Sequence, residues 1–126
     1  MRAETTNLRG SMADLTPEIV TDSSDTGFMA DVVETSKDIP VIVDFWAPWC
    51  GPCKQLLPRL EKAVTEAGGK VKLVKINTQD HPNVAGQLGV RSIPAVYGFK
   101  NGEPVEAFLG AQPDTFLKEF IAKLTG

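Results

Sequence analysis

The chain is short of the residues that hold small or metal-bound domains together. Among its 126 residues are two cysteines, one histidine and one tyrosine. Two cysteines cannot build a disulfide framework, and with His81 as the lone histidine the four ligands of a structural zinc site are missing, so no metal is expected. No run approaches the ~20 apolar residues of a membrane-spanning helix, which removes the membrane as a partner. An excess of positive charge is lacking too. Thirteen Lys and Arg against 16 Asp and Glu leave a net charge of -3, and no basic stretch interleaved with aromatics offers a nucleic-acid footprint. Met1 to Gly10 contain no apolar h-region of a secretory signal. The expected setting is therefore a reducing compartment, by default the cytoplasm, where a close cysteine pair is more often catalytic than structural.

What is present points to one ordinary domain, 42% hydrophobic and 23% charged. Both cysteines lie in Trp46-Ala47-Pro48-Trp49-Cys50-Gly51-Pro52-Cys53-Lys54. This stretch joins the apolar run Val41 to Trp46 to a helical pattern carrying Leu56, Leu57, Leu60, Ala63 and Val64. In that setting C-x-x-C reads as a redox pair. With Cys50 at the mouth of the helix and Cys53 one turn inside, the two sulfurs share a side and can close a disulfide with little backbone movement. Pro52 suits a first turn, where its missing N–H is no loss. Free amides and the positive end of the helix dipole favour an exposed, ionised thiol at Cys50, with Cys53 the better shielded. A purely structural bridge is disfavoured because closing so short a loop constrains little chain.

Residues 1–16 are polar and aperiodic. Gly10-Ser11-Met12 looks like a cloning junction followed by a second start, so this segment is expected to be a flexible leader or an expression scar, and 17–126 the folded domain. Ile19-Val20-Thr21 is a strand candidate. Asp22, Ser23, Ser24 and Asp25 offer caps for a helix with Phe28, Met29, Val32 and Val33 on its apolar face. Val41 to Ala47 is apolar on both faces except at Asp44, as in a central strand covered on each side. The helix after Pro52 should stop at Gly68-Gly69 and kink at Pro58. Val71 to Ile76 is a strand, and Pro82 opens a short helix ending at Gly89. Ala95 to Lys100 and Glu103 to Leu109 flank Asn101-Gly102, a strong hairpin signal. A last helix from Pro113 should bury Phe116, Leu117, Phe120, Ile121 and Leu124. The order β-α-β-α-β-α-β-β-α predicts an α/β fold, a central mixed β-sheet flanked by helices on both faces.

This order, with Trp49-Cys50-Gly51-Pro52-Cys53 after the second strand, Ile93-Pro94 before the hairpin and Gly110-Ala111 after it, resembles the thioredoxin family over roughly Glu18 to Gly126. The resemblance implies the thioredoxin fold and a protein-disulfide reductase without a bound cofactor, whose redox group is the Cys50–Cys53 disulfide. Electrons from NADPH would arrive through a thioredoxin reductase. It implies Cys50 as attacking thiol, Cys53 as resolving thiol, and Trp49, Gly51, Pro52, Ile93, Pro94 and Gly110 as the surface that meets protein disulfide substrates. It also implies a cis bond before Pro94, against the general rarity of such bonds. Asp44 could face solvent, or be a buried carboxyl with a raised pKa that takes the proton of Cys53; the resemblance supports the second. Lys75 reads from its pattern as solvated, and the resemblance gives it a supporting role beside Asp44. Trp46 reads as a packing residue, and His81 carries no assigned role.

The run Gly102 to Pro113 is similar to the thioredoxin domain of chaperedoxin-type proteins, so the alternative is the domain of a redox co-chaperone that binds unfolded clients or a chaperonin. In either case the chain is expected to act as a monomer.

Overall fold

The computed structural model describes residues 18–126; the expected leader, 1–16, lies outside the described residues. Five strands form one mixed sheet: β1 (Val20–Asp22), β2 (Val41–Trp46), β3 (Lys72–Asn77), β4 (Ala95–Lys100) and β5 (Glu103–Leu109). Their spatial order is β1-β3-β2-β4-β5. β3 pairs parallel with β1 and β2, whereas β4 pairs antiparallel with β2 and β5. Among the described residues, the three α-helices are α1 (Gly51–Glu66), α2 (Pro82–Gln87) and α3 (Asp114–Thr125). The fold is the expected one, α/β with parallel crossovers first and a hairpin last.

Two apolar layers sandwich β2 and β3. Because strand side chains alternate between faces, Ile42 and Leu73 pack with Leu56, Leu60, Leu117, Phe120 and Leu124 of α1 and α3. Val41, Val43, Phe45, Val74 and Ile76 point the other way, against Val32, Val84, Ala85 and Phe99. Asp44 shares the parity of Ile42, and Lys75 that of Leu73, so both belong to the face covered by α1.

The segment after β1 departs from the expected α-helix. It is π-helical over Met29–Glu34 and tightens to a 3₁₀ turn over Thr35–Lys37. Its caps are also divided differently. Ser24 Oγ accepts from Gly27 N at 2.9 Å, while the Asp25 carboxylate accepts from Asn83 N at 3.1 Å and Val84 N at 2.9 Å, capping α2 across the fold. Met29 is exposed, and Phe28 stacks edge-on against Phe99 at 5.5 Å.

α1 runs unbroken through Pro58. Asn101 and Gly102 both have positive φ, 57° and 86°, the conformation a two-residue hairpin turn with the right twist demands. The turn is tied down from the other side, since Asn101 N donates to Ser36 O and Gly102 N to Ser36 Oγ, both at 2.8 Å. In α3, Leu117, Phe120, Ile121 and Leu124 are buried as expected, but Phe116 is exposed, leaning edge-on against Phe108 at 5.2 Å.

Candidate active site

α1 begins where β2 ends. Cys50 is its N-cap, in extended conformation (φ -91°, ψ 106°), and its Sγ accepts the N–H of Cys53 at 3.2 Å. A sulfur in this position sits where the unpaired amides of the first turn converge, so negative charge is favoured there. Gly51 and Pro52 fill the first two helical positions; a proline there forfeits no hydrogen bond. The two cysteines are joined as a disulfide, with Cα atoms 5.3 Å apart.

Cys53 is 1% exposed and the better shielded of the pair, but Cys50, expected to be exposed, is only 5% so. Ala47 and Trp46 from the preceding strand end and Ile93 from a distant loop pack around the pair and cover it. Trp46 is thus a packing residue, as its position at a strand end suggests, and its Nε1 is buried without a partner. Trp49 takes the opposite posture, 70% exposed beside the disulfide.

The Ile93–Pro94 peptide bond is cis. The Ile93 carbonyl oxygen lies 3.8 Å from Cys50 Sγ. On the far side, Gly110 N donates to Pro94 O at 2.9 Å, from a backbone of φ +83° that glycine adopts without strain. A surface groove of about 490 Å³ opens next to the pair between Trp49, Thr78, Pro82, Val90, Arg91 and Ile93. Reading the sequence did not single out Thr78 or Arg91. Thr78 donates from Oγ1 to Trp46 O at 3.1 Å, a contact 32 residues apart that no local pattern signals.

Asp44 is fully buried, and both of its carboxylate oxygens lack a hydrogen-bond partner. Burial pushes its pKa up from 3.8 to about 7; the nearby Lys75 charge pulls it down and Glu61 pushes it up again. Lys75 stands directly across from it in the β2–β3 register. The lysine is not freely solvated. Its side chain is 18% exposed, and Nζ pairs with Glu61 Oε2 at 3.6 Å and Asp22 Oδ1 at 3.8 Å instead of with Asp44. Glu61 escaped the sequence reading. The available signal was its place on α1 two i,i+4 steps beyond Cys53, which keeps it on the helix face above Asp44.

Among the described residues, no group of three or more His, Cys, Asp or Glu could hold a metal ion, and no helix is long and apolar enough to cross a membrane.

The Thioredoxin family profile matches residues 19–123. Among curated proteins, the chain is similar to Thioredoxin 1 of Nostoc sp., 45% identical over 100 residues that make up 79% of this chain and 92% of that protein. It is 44% identical to Thioredoxin of Synechocystis sp. over 108 residues, 86% of this chain and 95% of the relative. Thioredoxin M5, chloroplastic, of Oryza sativa subsp. japonica is 47% identical over 93 residues, 74% of this chain and 54% of that longer protein.

Proposed function

The chain belongs to the thioredoxin family, and on that premise we propose how its residues divide the work. It is a thiol-disulfide oxidoreductase that reduces protein disulfides, and its redox group is its own Cys50–Cys53 pair. The observation that carries the assignment of roles is the asymmetry of that pair. Cys50 occupies the N-cap and receives the Cys53 amide, while Cys53 lies behind it in the first turn.

In the reduced protein, the Cys50 thiolate attacks one sulfur of a substrate disulfide. The substrate S–S bond breaks, a mixed disulfide forms, and one substrate thiolate leaves and picks up a proton. Cys53 then gives its proton to Asp44 and attacks Cys50 Sγ. The mixed disulfide breaks, the second substrate thiolate leaves and is protonated, and the Cys50–Cys53 bridge is formed. Two electrons have passed from the cysteine pair to the substrate, and its two thiolates are protonated by one proton from water and by the Cys53 proton that Asp44 releases. Lowering a thiol pKa from ~8.5 to ~7 raises attack only about threefold, because nucleophilicity falls as ionisation rises. The larger advantage is the second step, where Cys53 meets a mixed disulfide already in place, at high effective molarity.

Asp44 suits the role of base because its pKa of about 7 matches the working pH. Lys75 supports it by offsetting part of the rise that burial causes, which keeps Asp44 within reach of the working pH. Trp49, Gly51, Pro52, Ile93, Pro94 and Gly110 form the contact surface, on which an extended substrate segment pairs with the Ile93 backbone. A thioredoxin reductase returns the pair to the dithiol with electrons from NADPH. The working state is a monomer in a reducing compartment; the cytoplasm is the reading from the sequence, and the chloroplastic label of the rice relative is the competing address. The co-chaperone alternative is not favoured, because the relatives are thioredoxins that this chain spans almost from end to end in two of three cases.

The test is insulin reduction coupled to NADPH consumption by a thioredoxin reductase, with parent and Cys50→Ser compared. Catalysed NADPH consumption by the parent and none by the variant is expected. Equal rates would remove Cys50 from the attacking role.

A further inference from the structure

A buried carboxylate opposite a lysine would ordinarily be expected to form an ion pair with it. Here it does not. Asp44 and Lys75 are register partners on the same face of the sheet, yet both Asp44 oxygens are unpartnered and the Lys75 ammonium is held by Glu61 at 3.6 Å and Asp22 at 3.8 Å. Glu61 projects from α1, the helix that begins at the cysteine pair, and Asp22 closes β1 at the outer edge of the sheet. An ammonium drawn toward two carboxylates at the rim has less of its charge to place on the carboxyl beneath the helix.

We propose that Glu61 is a positioning residue: it anchors the Lys75 ammonium at the rim between α1 and the sheet, away from Asp44, and so leaves that buried carboxyl free to take up a proton. Asp22 shares the ammonium at 3.8 Å but from an exposed position at the sheet edge, and among the described residues no other charged group pairs with Lys75. The β2 neighbours of Asp44 are apolar or aromatic, its β4 partner is Val96, and α3 turns Leu117, Phe120, Ile121 and Leu124 inward. From α1 the candidates are Glu61 and the cysteine pair, and from β3 Lys75 alone. The directions agree, since Lys75 lowers the Asp44 pKa and Glu61 raises it. That Asp44 is the base for Cys53 rests on the functional reading above; that Glu61 steers Lys75 does not.

The experiment follows the Asp44 side-chain carboxyl carbon by NMR through a pH titration of the oxidised protein, in which neither cysteine titrates. Parent, Glu61→Gln, Lys75→Met and the double variant are compared. Glu61 is 39% exposed at its side chain, so the Gln variant should fold. Releasing Lys75 toward Asp44 is expected to lower the midpoint by about one pH unit in Glu61→Gln, the scale of an opposite charge brought within ~4–6 Å. In the Lys75→Met background the same substitution should change it little. An unmoved midpoint in the single variant overturns the proposal. So does an equal fall in both backgrounds, which would mean that Glu61 acts by its own field. If the midpoints move as expected while Asp44→Asn resolves mixed disulfides at the parental rate, Glu61 keeps its role and Asp44 loses that of base.

Discussion

The two faces of β2 and β3 are built from one pair of strands, and they serve opposite ends. On one, Val41, Val43, Phe45, Val74 and Ile76 close an apolar layer with no polar side chain among them. On the other, Ile42 and Leu73 alternate with Asp44 and Lys75 under the helix that carries the cysteines. The first face stabilises the fold. The second gives up stability to keep an unpartnered carboxyl next to the redox pair, since a carboxyl whose ionised form is penalised by burial works against folding at neutral pH.

The largest effect expected is on the reactive side. Cys50→Ser should lower disulfide reduction by at least ~10³-fold while leaving the melting temperature of the reduced protein nearly unchanged, as a group lost from a catalytic unit does. Activity and thermal unfolding measured on one preparation would show whether chemistry and stability separate as the two faces do.

Phe45→Ala, on the closed face, should do the reverse. Removing a fully buried ring is expected to destabilise by about 3–5 kcal/mol in urea unfolding. The pH dependence of stability should keep its shape, and a change in that shape would show that the faces are not independent.

Asp44→Asn sharpens the contrast. Below pH 3.8 the carboxyl is protonated in both states, and between 3.8 and about 7 only the unfolded chain loses its proton. Parental stability therefore falls as pH rises through that window and levels off above it, by up to about 4 kcal/mol. The Asn variant should lack this slope, match the parent near pH 4 and exceed it at pH 8, while mixed disulfides resolve about 10²-fold more slowly. Parallel pH–stability curves for the two proteins would contradict the burial of an ionisable group here.

Gly98→Ala is the smallest change and tests how tightly α3 covers the reactive face. An added Cβ would lie 2.6 and 2.8 Å from the methyls of the fully buried Leu124. Overpacking of about 1–3 kcal/mol is expected, with reduction of insulin unaffected. The glycine in this strand makes way for the helix above it, which reading β4 alone did not reveal.

Legibility followed the range of the interactions. Strands, hairpin and helices carried their periods and turn residues in local sequence, and Asn101-Gly102 marked its turn to the residue. The segment after β1 reads as an α-helix but is π-helical over Met29–Glu34, and Asp25, a plausible cap for it, caps α2 58 residues away. Cys50 and Cys53 were readable from spacing and their place between strand and helix, but the near-complete burial of Cys50 was not, since Ile93 approaches from 43 residues further along.

By itself, the sequence determined the element order, the mixed sheet and the redox pair at the start of a helix, because alternation, helical period and a C-x-x-C after a strand are written in neighbouring residues. Only the tertiary structure decided which ion pair Lys75 makes, that Asp44 is left without a partner, and that Glu61 belongs to the site. Those outcomes depend on the register of β2 against β3 and on the docking of α1 across them. Charges far apart in sequence meet through that packing, and their effects on one another weaken with distance and are screened over about 10 Å.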